Sequence, residues 1–274
     1  MRQSVRAPTI PAKVKRTEKS IAHARSPAAV WDRVICAIDP FPLSVRAALA
    51  AARLMPTAAR LTLCTVVGPA EVDIATNQAR TREATAALAR AQADLQPFHD
   101  AELQLRDGPP IGRLLDELLT ERATLVTVGS RANSRAGLGS VASAMLHDSP
   151  CSVLIAHTEF AGDEDVVVGF DGSGAARRAL AVGRELAERL SLKLRVLVAT
   201  GDAHPPGPGW SRAELGPDIE LIEDPRTPIE ALADASSSAR LVILGSRHLP
   251  ASLALSSVSE QAAQRVACPV LVIR

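Results

Sequence analysis

Short aliphatic runs alternate with longer amphipathic segments along most of this chain. Runs such as Leu241–Leu244 and Val270–Ile273 are nearly continuous Val, Leu and Ile, which is typical of strands buried on both faces of a sheet. The segments between the runs carry apolar residues at helical spacing, for example along Leu180–Leu190. Alternating strands and helices predict parallel strands joined by right-handed crossovers, so the expected fold class is α/β.

The same order of elements occurs twice, in residues 30–160 (repeat one) and in residues 161–274 (repeat two). Each copy begins with a strand that ends in Asp and leads through turn residues into an Ala-, Arg- and Leu-rich helix. These stretches read VICAIDPFPLSVRAALAAARLM and VVVGFDGSGAARRALAVGRELAERL. Each copy then has a second strand, a third strand before a helix that starts with Pro, a fourth strand that closes on Gly-Ser-Arg, and a fifth strand. This duplication predicts two repeated open parallel five-stranded sheets with flanking helices.

The two copies differ between their second and third strands. Repeat one has a long segment, Glu71–Pro97, with Ala and Leu at helical spacing. Repeat two has only GDAHPPGPGWSRAELGPD, and Pro and Gly at this density exclude a full crossover helix. One face of that sheet therefore loses its cover. We expect the aliphatic patch either to be filled by Trp210 and its loop or to serve as a contact surface.

Composition limits the classes of protein that remain. With four Phe, two Trp and no Tyr, the core must be aliphatic, and the stacking platforms of nucleic-acid-binding proteins are not expected. No apolar run approaches the ~20 residues that a membrane-spanning helix needs. The four cysteines lack C-x-x-C spacing and lie in or beside hydrophobic runs, which favours core packing and reduced thiols in the cytoplasm.

A net charge of +1 hides an uneven distribution along the chain. Residues 1–29 carry +6 and the remainder carries −5. Residues 1–29 contain three prolines and lack both the apolar core of a secretory signal and helical periodicity, so we interpret them as a basic disordered tail. A basic arm could contact an anionic partner, but a solvated tail explains the same composition, and no function is assigned to it.

Ligands of open α/β sheets bind at the carboxyl ends of the strands, which selects particular positions. The first strand of each repeat ends in an acid, and the fourth ends in Gly and leads through a loop to a helix start. An acid beside a helix N-terminus, whose free N–H groups suit phosphate, is the pattern of a nucleotide site. The candidate binding residues are Asp39, Val128, Gly129, Gly139, Ser140, Val141, Asp171, Gly245 and Ser257.

These residues resemble the universal stress protein family. The likeness rests on the first-strand Asp, the fourth strands ending VGSR and LGSR, the loop that closes on Gly-Ser-Val, and the fifth-strand segments SPCSVLI and ACPVLVI. It covers residues 30–274, so the chain resembles a tandem universal stress protein. The resemblance implies a Rossmann-like strand order of 3-2-1-4-5, pairing of the two repeats through their fifth strands, and a regulatory role in the stress response. Some members bind ATP, with adenine near the first-strand Asp and phosphates on the final Gly-Ser.

The phosphate loops depart from the pattern of ATP-binding members, which is Gly, two residues, Gly, nine residues, then Gly-Ser or Gly-Thr. In repeat one the second Gly is Ala132, and six residues separate it from Gly139. In repeat two the second Gly is His248, seven residues follow, and the closing pair is Ser256-Ser257. Because Ala and His cannot replace Gly at close approach without strain, we expect weak ATP binding in repeat one and a largely vacant repeat two.

Two functional classes stay open at this point. The first is a nucleotide-binding regulatory protein, and the second is an interaction scaffold built from degenerate repeats that bind no nucleotide. An enzyme of the wider Rossmann-like class ranks third, because the sequence shows no Walker lysine and no G-x-S-x-G elbow. The six histidines show no metal-ligand spacing, so neither catalytic nor metal-binding residues are expected.

Overall fold

The computed structural model describes residues 27–68, 74–130, 137–156, 165–201, 211–217, 219–246 and 258–274. The strands are β1 (Arg33–Ala37), β2 (Arg60–Val67), β3 (Ala101–Asp107), β4 (Leu125–Gly129), β5 (Ser152–Ala156), β6 (Asp165–Gly169), β7 (Lys193–Ala199), β8 (Glu220–Asp224), β9 (Ala239–Gly245) and β10 (Val270–Ile273). The helices of these residues are a short 3-10 helix (Pro27–Trp31), α1 (Pro42–Leu54), α2 (Ile74–Leu95), α3 (Pro110–Thr120), α4 (Ser140–Asp148), α5 (Gly174–Leu190), α6 (Arg212–Leu215), α7 (Pro228–Ala235) and α8 (Val258–Arg265).

The strands form one mixed sheet in the order β3-β2-β1-β4-β5-β10-β9-β6-β7-β8. Each half has the order 3-2-1-4-5 in its own numbering, and all pairings within a half are parallel. The predicted α/β class with flanking helices is confirmed. Strands β5 and β10 pair antiparallel and join the two five-stranded sheets into one of ten strands, which is the pairing through the fifth strands that the family resemblance implies. The reason is physical, since each of these strands is wholly buried and would otherwise be an apolar edge.

Both faces of the sheet are covered by helices, and each core extends through both halves. Helices α1, α2 and α5 pack on one face, while α3, α4, α7 and α8 pack on the other. The cores consist mainly of Ala, Val, Leu and Ile, as the aromatic-poor composition predicts. All four cysteines are buried free thiols. The structure also offers no helix, within the residues it describes, whose length and apolarity would suffice to cross a membrane.

Two helix starts follow the sequence signals closely. Pro110 and Pro228 both lie in the first turn, where a missing N–H removes no intrahelical hydrogen bond. Thr227 caps α7 as predicted, and its hydroxyl accepts the N–H of Glu230 at 3.4 Å while the Glu230 carboxylate accepts the N–H of Thr227 at 3.2 Å. This reciprocal arrangement is a capping box.

The crossover of repeat two is shortened, as the Pro- and Gly-rich stretch predicts. Its described part holds only the four-residue α6, in contrast to the 22-residue α2 of repeat one. Leu215 of α6 is 1% exposed and covers part of the sheet face. A cavity of about 530 Å³ lies between α5, β7 and residues 215–217 and 219–220. Trp210, the predicted filler of this region, lies outside the described residues.

The short 3-10 helix ties the start of repeat one to repeat two. Its Trp31 is fully buried, and the guanidinium of Arg189 in α5 lies 5.9 Å from the centre of the Trp31 ring. Arg189 also donates a 2.6 Å hydrogen bond to the carbonyl of Leu54 at the end of α1. Residues 27–29, which the sequence assigns to the tail, therefore belong to the fold because Trp31 anchors them. Residues 1–26 lie outside the described part of the chain.

Replacing Trp31 with alanine is expected to destabilise the whole chain by about 3–5 kcal/mol, because it empties a buried aromatic site between the repeats.

Removing residues 1–26 is expected to leave the melting temperature unchanged, since few of them are apolar. Thermal unfolding followed by circular dichroism measures both. A Trp31→Ala protein as stable as the parent would show that this contact is dispensable.

Candidate functional site

The candidate site of repeat one lies at the point in the sheet where the strand order changes direction, between β1 and β4. Strands β1 and β4 are hydrogen-bonded neighbours, with Val34 beside Leu125 and Cys36 beside Thr127. From β1 the chain crosses over through α1 on one face, and β4 leads to α4 on the other face. Ligands of open α/β sheets occupy the crevice at such a switch point. The topology therefore brings together the ends of β1 and β4, where Asp39 and Gly129 lie.

Asp39 and Asp171 have the same structural role, each in its own repeat. The Oδ1 atom of Asp39 accepts the N–H of Phe41 at 3.0 Å, and Oδ1 of Asp171 accepts the N–H of Ser173 at 2.9 Å. Each carboxylate thus closes the turn that leads into the next helix. Both aspartates are nevertheless exposed at the carboxyl edge of the sheet. A turn role and a ligand role are compatible at these positions.

Gly129 and Gly245 are explained by packing between strand and helix. A Cβ atom on Gly129 would lie 2.5 Å from the carbonyl carbon of Leu43 in α1. A Cβ atom on Gly245 would lie 2.2 Å from the carbonyl carbon of Ala175 in α5. The first turn of each helix can therefore reach its sheet only because the fourth strand ends in glycine. The sequence pattern predicts ligand binding for these glycines but not this packing role, which depends on contacts between distant segments.

Val128 does not present its side chain to the crevice. It is 2% exposed and packs in the core beneath α3 and α4. Any contribution of this residue to ligand binding is therefore limited to its main chain. This corrects the expectation that placed the whole residue in the site.

Helix α4 supplies the anion-binding part of the site. Gly139 precedes it with φ +89°, in the backbone region that favours glycine, and no side chain of the described residues caps the helix. The N–H groups of Ser140 and Val141 have no acceptor within their own helix. Among the described residues, no atom lies within 4 Å of the position that a Cβ atom on Gly139 would take, which leaves room there for a ligand.

The loop before α4 is held at both ends. Ser130 donates a 2.8 Å hydrogen bond from its hydroxyl to the carbonyl of Leu138, and its N–H donates to the carbonyl of Ala156 at 2.9 Å. Gly137 has φ +75°, again a conformation that favours glycine. These contacts fix where α4 begins. Ala132 of the same loop lies outside the described residues.

Helix α8 of repeat two differs from α4 in charge. Its first turn contains an acid, Glu260, whereas the first turn of α4 contains none. Glu260 is only 8% exposed, and its Oε2 atom lies 3.6 Å from Nε2 of His147 in α4. The sequence reasoning missed this pair, although the difference between SVASAML and SVSEQAA is visible in the sequence. His248, Ser256 and Ser257 lie outside the described residues.

The chemistry that the site offers is binding by main-chain N–H groups, a hydroxyl and a carboxylate. Burial raises the pKa of Cys36 in β1 to about 12 and that of Cys64 in β2 to about 11, so both thiols are protonated at neutral pH. Among the described residues, no group of three or more His, Cys, Asp or Glu side chains is placed to hold a metal ion.

Comparison with known proteins identifies one family. The family model described as the universal stress protein family matches residues 31–157 and 212–274. A universal stress protein of Mycobacterium tuberculosis is 29% identical over 215 residues, covering 63% of this chain and 72% of that protein.

Solved structures show the same fold. A universal stress protein from Archaeoglobus fulgidus has a TM-score of 0.72 at 20% identity and covers 89% of this chain and 98% of its own. A universal stress protein family protein from Arabidopsis thaliana, solved with AMP bound, matches at 17% identity with a TM-score of 0.36, covering 45% of this chain and 90% of its own.

Substituting Gly129 with alanine is expected to lower the free energy of unfolding by about 1–3 kcal/mol, because the new Cβ atom would overlap the main chain of α1. Gly112 in α3 is a matched control, since no atom lies within 4 Å of its Cβ position. Gly112→Ala should stabilise the protein by about 0.5–1 kcal/mol. Urea unfolding measures both variants, and equal stability of Gly129→Ala and the parent would refute the packing role.

Proposed function

Because this chain belongs to the universal stress protein family, we propose that it is a cytoplasmic regulatory protein of the stress response that binds one adenine nucleotide, ATP, weakly in repeat one. In this proposal repeat two stays largely vacant and the protein catalyses no reaction. The regulatory signal is the presence or absence of the nucleotide. The four buried free thiols support a reducing compartment.

The observation that carries this proposal is the uncapped start of α4 behind a positive-φ glycine. Phosphate binds well where main-chain N–H groups and the positive end of a helix dipole point at open space. Gly139, Ser140 and Val141 supply this arrangement, with nothing within 4 Å of the Cβ position of Gly139. Asp39 lies at the end of β1, the strand next to β4, where the family resemblance expects the adenine and its sugar.

The preference for repeat one is supported by charge. In repeat two the buried carboxylate of Glu260 lies in the first turn of α8, where it already interacts favourably with the helix dipole. A phosphate at the same helix start would be repelled by this carboxylate. The corresponding residue of repeat one is the neutral Ser143. The electrostatic field at the two helix starts therefore favours an anion only in repeat one.

One observation favours the alternative, an interaction scaffold. Four of the motif residues have structural roles that need no ligand: Asp39 and Asp171 close turns, while Gly129 and Gly245 allow a helix to pack closely on the sheet. A chain could therefore keep these residues for folding alone. Only the start of α4 lacks such an explanation, so the experiment that separates the two functions must address it.

Equilibrium binding of labelled ATP to the full chain, with Gly139→Val, is the test. Valine at φ +89° is strained and obstructs the approach of a phosphate to the first turn of α4, so we expect an affinity loss of about tenfold or more. Gly216→Val is the matched control, since Gly216 also has positive φ, at +75°, but lies in repeat two beside α6. The control should retain the parent affinity, as should Ser256→Val.

The scaffold function predicts a different outcome. The parent chain would then show no binding at millimolar ATP. Binding of ATP with the same affinity by the parent chain and by Gly139→Val would overturn the assignment of the phosphate site to the start of α4. Melting temperatures of the three valine variants, measured in parallel, separate a lost site from a lost fold.

A further inference from the structure

Helices α4 and α8 face each other across the junction of the two halves. The antiparallel pairing of β5 with β10 is centred on Leu154 opposite Leu271, with Val153 opposite Val272. Two similar halves joined in this way are related by an approximate twofold axis. Each fourth-strand helix therefore has its last turn near the first turn of the other.

One of the two resulting contacts involves His147 and Glu260. His147 lies in the last turn of α4, and its Nε2 atom is 3.6 Å from the carboxylate of Glu260 in the first turn of α8. When β5 and β10 are aligned on the Val-Leu pair that each contains, Gln264 of repeat two corresponds in position to His147 of repeat one. The twofold relation then places Gln264, in the last turn of α8, at the start of α4.

The geometry agrees with this relation. The side-chain nitrogen of Gln264 lies 3.9 Å from the position that a Cβ atom on Gly137 would take. Gly137 comes two residues before Gly139, which precedes the first turn of α4. The amide of Gln264 therefore borders the loop that leads into the proposed phosphate site. This side chain comes from the other repeat and is half-buried.

An amide at this place has a defined chemical effect. Its nitrogen carries two N–H donors and no net charge, so it can donate to phosphate oxygens without needing a counter-charge. A carboxylate in the same place would repel every phosphate group of a nucleotide, and an ammonium group would attract each of them. The number of phosphates on the ligand then determines the size of either effect.

We propose that Gln264 is a specificity-determining residue of the repeat-one site, contributed by repeat two, and that it donates to the phosphate chain of the bound nucleotide. This inference rests on the function proposed above and extends it. Repeat two, although vacant, completes the site of repeat one. The fusion of two repeats in one chain thereby produces a single site built from both.

The test uses the full chain with two variants of opposite charge. Gln264→Glu keeps the shape and adds a negative charge, so ATP affinity should fall about tenfold while AMP affinity falls less. Gln264→Lys should raise the affinity for ATP. If Gln264 had a purely structural role, the two variants would not change the ATP affinity in opposite directions. Gln96→Glu is the matched control, because this substitution makes the same change in net charge as Gln264→Glu. Gln96 is exposed and lies just after α2.

The outcomes separate the two proposals. If the parent chain binds no ATP, the proposed function fails and this inference with it. If the parent binds ATP and both Gln264 variants bind it equally well, the inference alone is overturned. A fall in affinity of the same size for Gln96→Glu and Gln264→Glu would also overturn it, because the effect would then come from net charge.

Discussion

The antiparallel pairing of β5 with β10 is the contact on which the rest of this structure depends. Both strands are wholly buried, so each half alone would expose an apolar edge. Their pairing turns two five-stranded sheets into one of ten and lets each core extend through both halves. It also brings α4 against α8, so that His147 contacts Glu260 and Gln264 borders the loop at Gly137. The two helix starts that could hold phosphate are thus set by one interface.

The same interface makes two similar repeats unequal. Helix α8 has the acid Glu260 in its first turn, whereas α4 begins with Ser140 behind a positive-φ glycine and has no acid in its first turn. Both repeats kept the turn aspartates and the packing glycines, because the fold of each half requires them. The shared motif residues therefore have a structural role in both repeats, while the two helix starts differ in charge.

The sequence predicts the local parts of this structure well. Hydropathy locates β5 and β10, and Pro110 and Pro228 mark helix starts, because each signal acts over a few residues. Contacts between distant segments could not be predicted in this way. The overlap that a side chain at position 129 would make with α1, and the proximity of Gln264 to Gly137, depend on how helices cross the sheet. The residues of the candidate site remain a prediction from the sequence, whereas the packing roles of Gly129 and Gly245 are visible only in the structure.

Amide hydrogen exchange of the full chain with and without ATP tests the central claim most directly, because it reports on the individual N–H groups assigned to phosphate. The amides of Ser140 and Val141 have no acceptor within α4, so they should exchange rapidly in the free protein and slowly with ATP bound. The amides at the start of α8, in Val258 and Ser259, should not change. Slower exchange at α8, or no change at Ser140 and Val141 in the presence of saturating ATP, would contradict a single nucleotide site in repeat one.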